Sequence, residues 1–233
     1  MDLKTQMNQF LFGYYPYVCL AVFFVGSLIR FDREQYTWTS DSSQLLRPGS
    51  RRWGSNLFHI GILGIFGGHF TGFLTPLRVW HALGISLPEK QMTAMVAGGV
   101  FGLMCAVGLA MLLARRLGDA RIRTTSKPMD IVMLVLLLAQ VVLGLVTIPL
   151  SAQHPDGGEM VKFMVWAQHI WSFRTGAVPL IADVSIIFKL HIVLGLTVFL
   201  LFPFTRLVHI WSGFASVFYL FRPYQLMRRR AER

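Results

Sequence analysis

The sequence predicts an all-α fold in which five helices cross a membrane and pack as one bundle. Two observations lead to this prediction: 54% of the 233 residues are hydrophobic while only 14% are charged, and the hydrophobic residues are concentrated in five long runs. A soluble domain of this size cannot bury so much apolar surface. A bilayer core about 30 Å thick accommodates about 20 residues as a helix, and lipid offers no hydrogen-bond partners to an irregular backbone.

The predicted spans are similar in length, and the last is expected to continue as a helix towards Trp211. They comprise residues 10–29, 55–75, 92–114, 129–150 and 181–204. The first is longer than the core of a signal peptide and lacks a small-residue cleavage site, so we expect it to be retained. Since the chain has no repeat or long linker, residues 1–233 are expected to form a single domain.

A sixth apolar stretch, residues 159–175, contains three charged residues and is therefore a poor membrane span. We expect it to form a helix at the membrane interface, with Trp166 and Trp171 at the level of the headgroups. Cys19 and Cys105 lie in two different spans without metal-ligand spacing, which favours structural thiols.

The net charge of +11 is distributed unevenly along the chain. In a five-span topology, three segments on one side of the membrane hold 16 of the 22 basic residues: 30–53, 115–127 and the tail from Arg206. Because positively charged loops stay in the cytoplasm, this pattern predicts an outside N-terminus and a cytoplasmic C-terminus. Attraction to anionic lipid or to an acidic cytoplasmic partner explains the charge without nucleic acid.

Four histidines lie in the second and fifth hydrophobic segments, where an imidazole is costly to bury without a partner. They are His59 and His69 in SNLFHIGILGIFGGHFTGFLTP (55–76), and His191 and His209 in KLHIVLGLTVFLLFPFTRLVHIWS (189–212). Neutral imidazole is a common ligand of haem iron. A single intramembrane histidine is more often a packed, hydrogen-bonded residue, but four at matched depths favour haem ligation.

Antiparallel packing of these two segments matches His69 with His191 near the outer face and His59 with His209 near the cytoplasmic face. Each match predicts one haem held by two histidines. The spacings differ, because at about 1.5 Å per residue the first pair spans about 15 Å and the second about 27 Å in a straight helix. Helix tilt, side-chain reach and a distortion at Pro203 must absorb the difference.

Small residues surround the predicted ligands and admit either a flat macrocycle or a neighbouring helix. They are Gly61, Gly64, Gly67, Gly68, Gly72 and Gly195. The histidine spacing does not match a zinc site, and without a CxxCH sequence covalent haem attachment is excluded. Of the remaining histidines, His81 and His169 are expected to be solvated or interfacial, whereas His154 is a weaker candidate for contact with a haem edge or a quinone.

The two histidine segments, together with LVTIPLSAQHPDGGEMVK (145–162) and QYTW (35–38), resemble the gamma subunit family of the membrane-bound respiratory nitrate reductases. Members of that family are dihaem cytochromes b. The resemblance covers nearly the whole chain. It implies a multi-pass protein of the bacterial cytoplasmic membrane with two non-covalent b haems, working in anaerobic nitrate respiration. Its implied partners are a cytoplasmic iron–sulfur beta subunit and a molybdenum-containing alpha subunit, on which nitrate is reduced.

The resemblance also implies roles for individual residues. His69 and His191 match the ligands of the distal haem, near the outer face, and His59 and His209 match those of the proximal haem. Menaquinol or ubiquinol is oxidised beside the distal haem, where Lys90 matches a lysine that hydrogen-bonds the quinone. The alternative for Lys90 is an ordinary interfacial lysine that extends to the headgroups.

Three further residues enter the predicted sites. Gly68 would let the quinol ring approach the distal haem edge. Lys189 and Arg206 flank the ligands of the fifth segment and either pair with haem propionates or cap the span.

The predicted function is therefore quinol oxidation and electron transfer through two haems. The first alternative is a dihaem cytochrome b of another quinone-linked complex, such as a hydrogenase, formate dehydrogenase or heterodisulfide reductase. The second is a haem-free transporter or membrane anchor whose histidines relay protons. The absence of acidic residues from the middle of the spans disfavours such a relay.

Overall fold

A computed structural model describes residues 2–34 and 48–211 of the chain. In these two ranges all regular structure is helical, with no strand. Five helices there are long and apolar enough to cross a membrane, which confirms the predicted all-α, five-span architecture. We number these spans first to fifth: Leu3–Glu34, Arg52–Leu74, Leu87–Gly118, Pro128–Ala152 and Ile186–Phe204. The QYTW segment, Arg47 and the basic residues of the tail beyond Trp211 lie outside the described residues.

Several helices begin earlier than the apolar runs that predicted them. The first span consists of an α-helix Leu3–Gln9, a π-helical turn Phe10–Tyr14 and an α-helix Tyr15–Glu34. The helix of the second span is Pro48–Leu74. The third begins at Leu87 because Ser86 and Glu89 form a capping box, in which each side chain satisfies the backbone N–H of the other residue.

The second and third spans pack with their backbones in close contact. A Cβ atom at Gly61 would lie 2.5 Å from the backbone nitrogen of Cys105, and one at Gly108 would lie 2.4 Å from that of Phe58. Only glycine permits this approach. The third span also packs on the fourth, and the fifth packs on the fourth and the first. Cys19 and Cys105 are buried free thiols, as predicted.

Shorter helices connect the spans: Leu77–Ala82, Ala120–Thr125, Gly158–Trp171 and Ala177–Ile181. The helix Gly158–Trp171 accounts for the sixth apolar stretch. Trp166 donates its indole N–H to the carbonyl of Phe12, 3.1 Å away, whereas Trp171 is exposed. One face of this helix therefore covers the bundle beside the first span.

The fifth span differs from its prediction at both ends. Its α-helix is Ile186–Leu201, and the expected continuation to Trp211 is wrong. Two 3-10 turns follow, Phe202–Phe204 and Arg206–Val208, separated by an extended Thr205. Proline lacks the N–H that a continuing helix needs, so the predicted distortion at Pro203 is a complete break. At the start, residues 177–181 form their own helix.

Candidate functional site

The structure brings the four predicted histidines together as two facing pairs, each joining the second span to the fifth segment. The ring centroids of His69 and His191 are 6.2 Å apart, with 45° between the ring planes. Those of His59 and His209 are 6.3 Å apart, with 73° between the planes. The pairs are therefore those expected from antiparallel packing, and their function as haem ligands stays a prediction.

Backbone carbonyls orient three of these four imidazoles. The Nδ1 atoms of His59 and His69 each lie against the carbonyl oxygen four residues earlier, at 2.7 and 2.8 Å. That of His209 lies 2.6 Å from the carbonyl oxygen of Arg206. Since a carbonyl only accepts hydrogen bonds, Nδ1 must carry the proton, which leaves the lone pair of Nε2 free to bind a metal.

His209 follows the end of the fifth span, and its ring is partly buried. Burial holds the pKa of its imidazole below the usual value, although the hydrogen bond to Arg206 acts in the opposite direction. The neutral form therefore prevails at neutral pH, and this is the form that binds metals.

His191 has a different environment. Its Nδ1 is buried without a hydrogen-bond partner among the described residues, and so is Oε1 of Gln140. The Nε2 of Gln140 donates to the carbonyl of His191 at 3.1 Å. Gly144 and Gly195 leave room for these side chains, since added Cβ atoms would lie 3.0 Å from the His191 ring and 2.9 Å from the Gln140 amide. Sequence reasoning missed Gln140, although an amide within LLLAQVVLG is a visible polar exception.

The glycines near His59 and His69 divide into two groups. Gly61 and Gly64 face the third span, where a Cβ at Gly64 would lie 2.4 Å from the ring of Phe101. Helix packing, the alternative considered from sequence, thus accounts for these two. A Cβ at Gly67, Gly68 or Gly72 would meet nothing within 4 Å. Open space therefore adjoins His69.

An aromatic contact separates the two histidine pairs. The ring centroids of Phe66 and Phe199 are 5.9 Å apart. Phe66 lies between His59 and His69 in the second span, and Phe199 lies between the other two histidines. These rings link the second span to the fifth between the two histidine pairs.

Lys90, at the start of the third span, is buried rather than extended towards a surface. Its Nζ donates to the carbonyl of Gly72 at 3.1 Å and lies 3.1 Å from Sδ of Met164 and 3.5 Å from Sδ of Met160. The ring centroid of Trp80 is 5.1 Å away. The alternative of a lysine reaching for headgroups does not describe this environment. Gly72 is one helical turn beyond His69, so Lys90 lies close to the same open space.

The neighbouring Gln91 fixes the start of the third span to the end of the fourth. Its Nε2 donates to the carbonyls of Ser151 and His154, at 2.8 and 2.9 Å. The imidazole of His154 is exposed, with Nδ1 3.8 Å from a carboxylate oxygen of Glu159. His154 therefore contributes its backbone carbonyl to the region around Lys90, while its exposed ring lies beside Glu159.

The other candidates have protein partners or lie outside the pairs. His81 is exposed, and His169 places Nδ1 3.1 Å from the carbonyl oxygen of Thr175. Lys189 donates to the carbonyl of Ala182, and Arg206 lies 3.8 Å from a carboxylate oxygen of Asp130. Within the described ranges no three histidine, cysteine or acidic side chains converge as a metal site. Each histidine pair can supply two ligands, and a bound metal would need its others from a group outside the described residues.

A family comparison covers nearly the whole chain. The model of the nitrate reductase gamma subunit family matches residues 8–230. The chain belongs to this family. The resemblance recognised from the sequence motifs is thereby confirmed, and cytochrome subunits of hydrogenases, formate dehydrogenases and heterodisulfide reductases are set aside as alternatives.

Curated relatives agree with the family over nearly their full length. The gamma chains of respiratory nitrate reductases 1 and 2 of Escherichia coli are each 52% identical to this chain, over 96% of it and 98% of their own length. The nitrate reductase gamma chain of Bacillus subtilis is 40% identical over 96% of this chain and 99% of its own. This family member is thus an integral membrane subunit of a respiratory nitrate reductase, and a gamma subunit implies alpha and beta partners.

Proposed function

We propose that this gamma subunit oxidises quinol near the outer face of the bacterial cytoplasmic membrane and passes the electrons, through two b haems, to a cytoplasmic iron–sulfur beta subunit. The molybdenum-containing alpha subunit would then use them to reduce nitrate. The observation that carries this proposal is the presence of two histidine pairs with nearly equal ring separations, 6.2 and 6.3 Å.

Each separation would leave room for one metal ion held between the two rings. A metal–imidazole nitrogen bond is about 2 Å long and the ring centre lies about 1.1 Å beyond the nitrogen, so the two centroids are expected about 6 Å apart. Haem, when bound, supplies reversible one-electron transfer at its iron. The open space beside Gly67 and Gly68 would accept part of a macrocycle without moving the backbone.

The chain's own contribution is to hold the ligands in place before the cofactor arrives. His59, His69 and His209 are oriented by hydrogen bonds from Nδ1 to carbonyl oxygens, so Nε2 of each is left free to bind a metal. Such outer hydrogen bonds also raise the basicity of the ligating nitrogen. His69 and His191 would hold the distal haem, and His59 and His209 the proximal one.

The quinol site is proposed between Lys90 and the glycine face of the second span. Lys90 Nζ has three N–H donors, of which one binds the Gly72 carbonyl and the others face thioether sulfurs, which are weak acceptors. A quinone oxygen is a stronger acceptor and would take the place of a thioether. Gly68, with no side chain, leaves the approach to His69 open.

The proposed orientation makes the reaction generate a membrane potential. Each quinol loses two electrons and two protons. With the Lys90 end of the bundle outside, the protons are released there while the electrons move inward. The last turn of the third span, with Arg115 and Arg116, and the short helix after it, with Arg121 and Arg123, would then face the cytoplasm.

Haem quantification on the purified complex tests the proposal directly. We expect two extractable protohaems per gamma chain and an α band in the reduced-minus-oxidised spectrum. His69→Ala or His191→Ala should each remove one haem and abolish quinol oxidation, whereas His81→Ala should change neither. A wild-type chain without an α band would instead support the haem-free anchor or transporter. Full haem occupancy in both histidine variants would refute the ligand assignment.

A further inference from the structure

The break after the fifth helix reconciles the unequal histidine spacings. His59 and His69 are ten residues apart in one helix, whereas His191 and His209 are separated by eighteen. The fifth helix ends at Leu201, ten residues after His191, so its helical part has the same rise as the second-span interval. Residues 202–208 then form two 3-10 turns separated by the extended Thr205, so the straight helix does not continue to His209. His209 consequently faces His59 instead of lying beyond it.

Arg30 of the first span binds this break. One terminal nitrogen of its guanidinium donates to the carbonyls of Pro203 and Thr205, at 2.6 and 2.8 Å. In a continuous α-helix those carbonyls would accept from the amides four residues later. Here the amide of Leu207 is directed to Oγ1 of Thr205. The guanidinium therefore donates hydrogen bonds to two backbone carbonyls that would otherwise lose their helical partners at the break.

The same face of the first span also packs closely against the broken segment. A Cβ atom at Gly26, one turn before Arg30, would lie 2.9 Å from Cγ of Pro203. Phe23, a further turn away, packs edge-on against Phe202 at 4.8 Å between centroids. Three successive turns of one helix thus contact residues 202–205.

A buried carboxylate holds the other side of the break. Asp130, at the start of the fourth span, is 8% exposed, and one of its oxygens lies 2.9 Å from Arg116 and 3.8 Å from Arg206. The backbone carbonyl of Arg206 accepts the Nδ1 hydrogen bond of His209 at 2.6 Å. Arg206 therefore connects the carboxylate to the orientation of the imidazole.

We propose that Arg30 and Asp130 are positioning residues for the proximal haem: together they clamp the break at residues 202–206, which places His209 opposite His59. This inference rests on the proposed function, because it presumes that these two histidines hold a haem. The effect of Arg30 and Asp130 passes through the backbone of the broken segment.

The test uses the whole complex in membranes, with the two haem signals resolved by redox titration and by electron paramagnetic resonance. His209→Ala identifies the proximal signal as the one it removes. Arg30→Gln is expected to shift the midpoint potential and the largest g value of that signal, or to remove it, and to leave the distal signal unchanged. Arg33→Gln, on the same helix at an exposed position, is the matched control and should alter neither.

Two further variants separate positioning from charge. Gly26→Ala removes no charge but places a methyl group against Pro203, so it should change the g value of the same proximal signal. Arg30→Lys keeps the charge but loses the planar guanidinium. Its proximal signal should therefore lie between those of Arg30→Gln and the wild type. If the Arg30→Gln protein does not accumulate, the proposal is decided by Gly26→Ala and Arg30→Lys.

The outcomes distinguish this clamp from the proposed function. The clamp alone is overturned if the wild-type complex holds two protohaems but the proximal signal does not change in the Arg30→Gln variant. The same conclusion follows if that signal changes in neither Gly26→Ala nor Arg30→Lys. Asp130→Asn should change the proximal signal in the same way as Arg30→Gln. If the proximal signal of Asp130→Asn has the wild-type potential and g value, Asp130 is not part of the clamp. A wild-type complex with fewer than two protohaems would refute the haem assignment itself.

Discussion

The imidazole planes of His59 and His209 lie at 73° to each other, whereas those of His69 and His191 lie at 45°. The two pairs have nearly the same centroid separation but different twist. His209 directly follows the 3-10 turn Arg206–Val208, whereas the other three histidines project from the long helices of the second and fifth spans. If both pairs ligate haem iron, the two haems will have different electronic structures.

We predict that the proximal haem has the larger maximum g value in the oxidised complex. Imidazole planes near perpendicular interact equally with two iron d orbitals and leave them nearly equal in energy, which increases g anisotropy, whereas more nearly parallel planes split them. Electron paramagnetic resonance of the wild-type complex should show two low-spin signals. His209→Ala should remove the more anisotropic one and His69→Ala the other. The reverse assignment would contradict the angles in the structure.

Replacement of Lys90 should impair quinol oxidation without affecting the haems. Lys90→Met keeps an unbranched side chain among Met160 and Met164 but removes the charge and the donors. A hydrogen bond from a charged donor is worth about 1.5–3 kcal/mol, so kcat/KM for a quinol analogue should fall roughly ten- to hundredfold. Haem content should stay at the wild-type value, since Lys90 contacts none of the four histidines in the described hydrogen bonds.

A second measurement locates the defect of Lys90→Met at the quinol site. After chemical reduction, nitrate should reoxidise the haems of this variant at the wild-type rate, because that reaction bypasses quinol. Lys162→Ala, which removes an exposed lysine from the connecting helix, serves as the control for loss of one positive charge. Unchanged kcat/KM in Lys90→Met would exclude the lysine from the quinol site.

The architecture was predictable because a long apolar run in a bilayer can satisfy its backbone hydrogen bonds only as a helix, and the bilayer thickness sets the length of that helix. Helix ends were less predictable. Ser86 starts the third span before its apolar run begins, through a capping box in which polar side chains replace helical partners. The end of the fifth helix at Leu201 depends on contacts from another span, although Pro203 marked the position.

The histidine pairing was also predictable, since antiparallel helices match residues by depth. The residues that hold those histidines in place were not predictable. Arg30 and Asp130 look from sequence like a loop arginine and a first-turn acid, and their proposed role emerges only because the first and fourth spans both contact residues 203–206. Gln140 is visible as a polar residue in an apolar run, but its contact with the carbonyl of His191 requires knowledge of which spans are neighbours.

Two glycines of the third span should respond oppositely to the same substitution. A Cβ at Gly108 would lie 2.4 Å from the backbone nitrogen of Phe58 and 2.8 Å from the carbonyl oxygen of Gly54, so Gly108→Ala must push the second span away. Overpacking of this kind costs typically about 1–3 kcal/mol. We therefore expect a lower thermal unfolding midpoint for the detergent-solubilised complex, with reduced haem retention on heating.

Gly98→Ala is the matched control, because a Cβ there meets nothing within 4 Å. Alanine is also the better helix former, by about 1 kcal/mol. This variant should unfold at or above the wild-type midpoint and keep its full haem content. Equal midpoints for the two variants would mean that the backbones of the second and third spans are not in direct contact at Gly108. Since His59 and His69 both lie on the second span, its separation from the third should also disturb both haem signals at once, unlike the single-signal effect expected for Arg30→Gln.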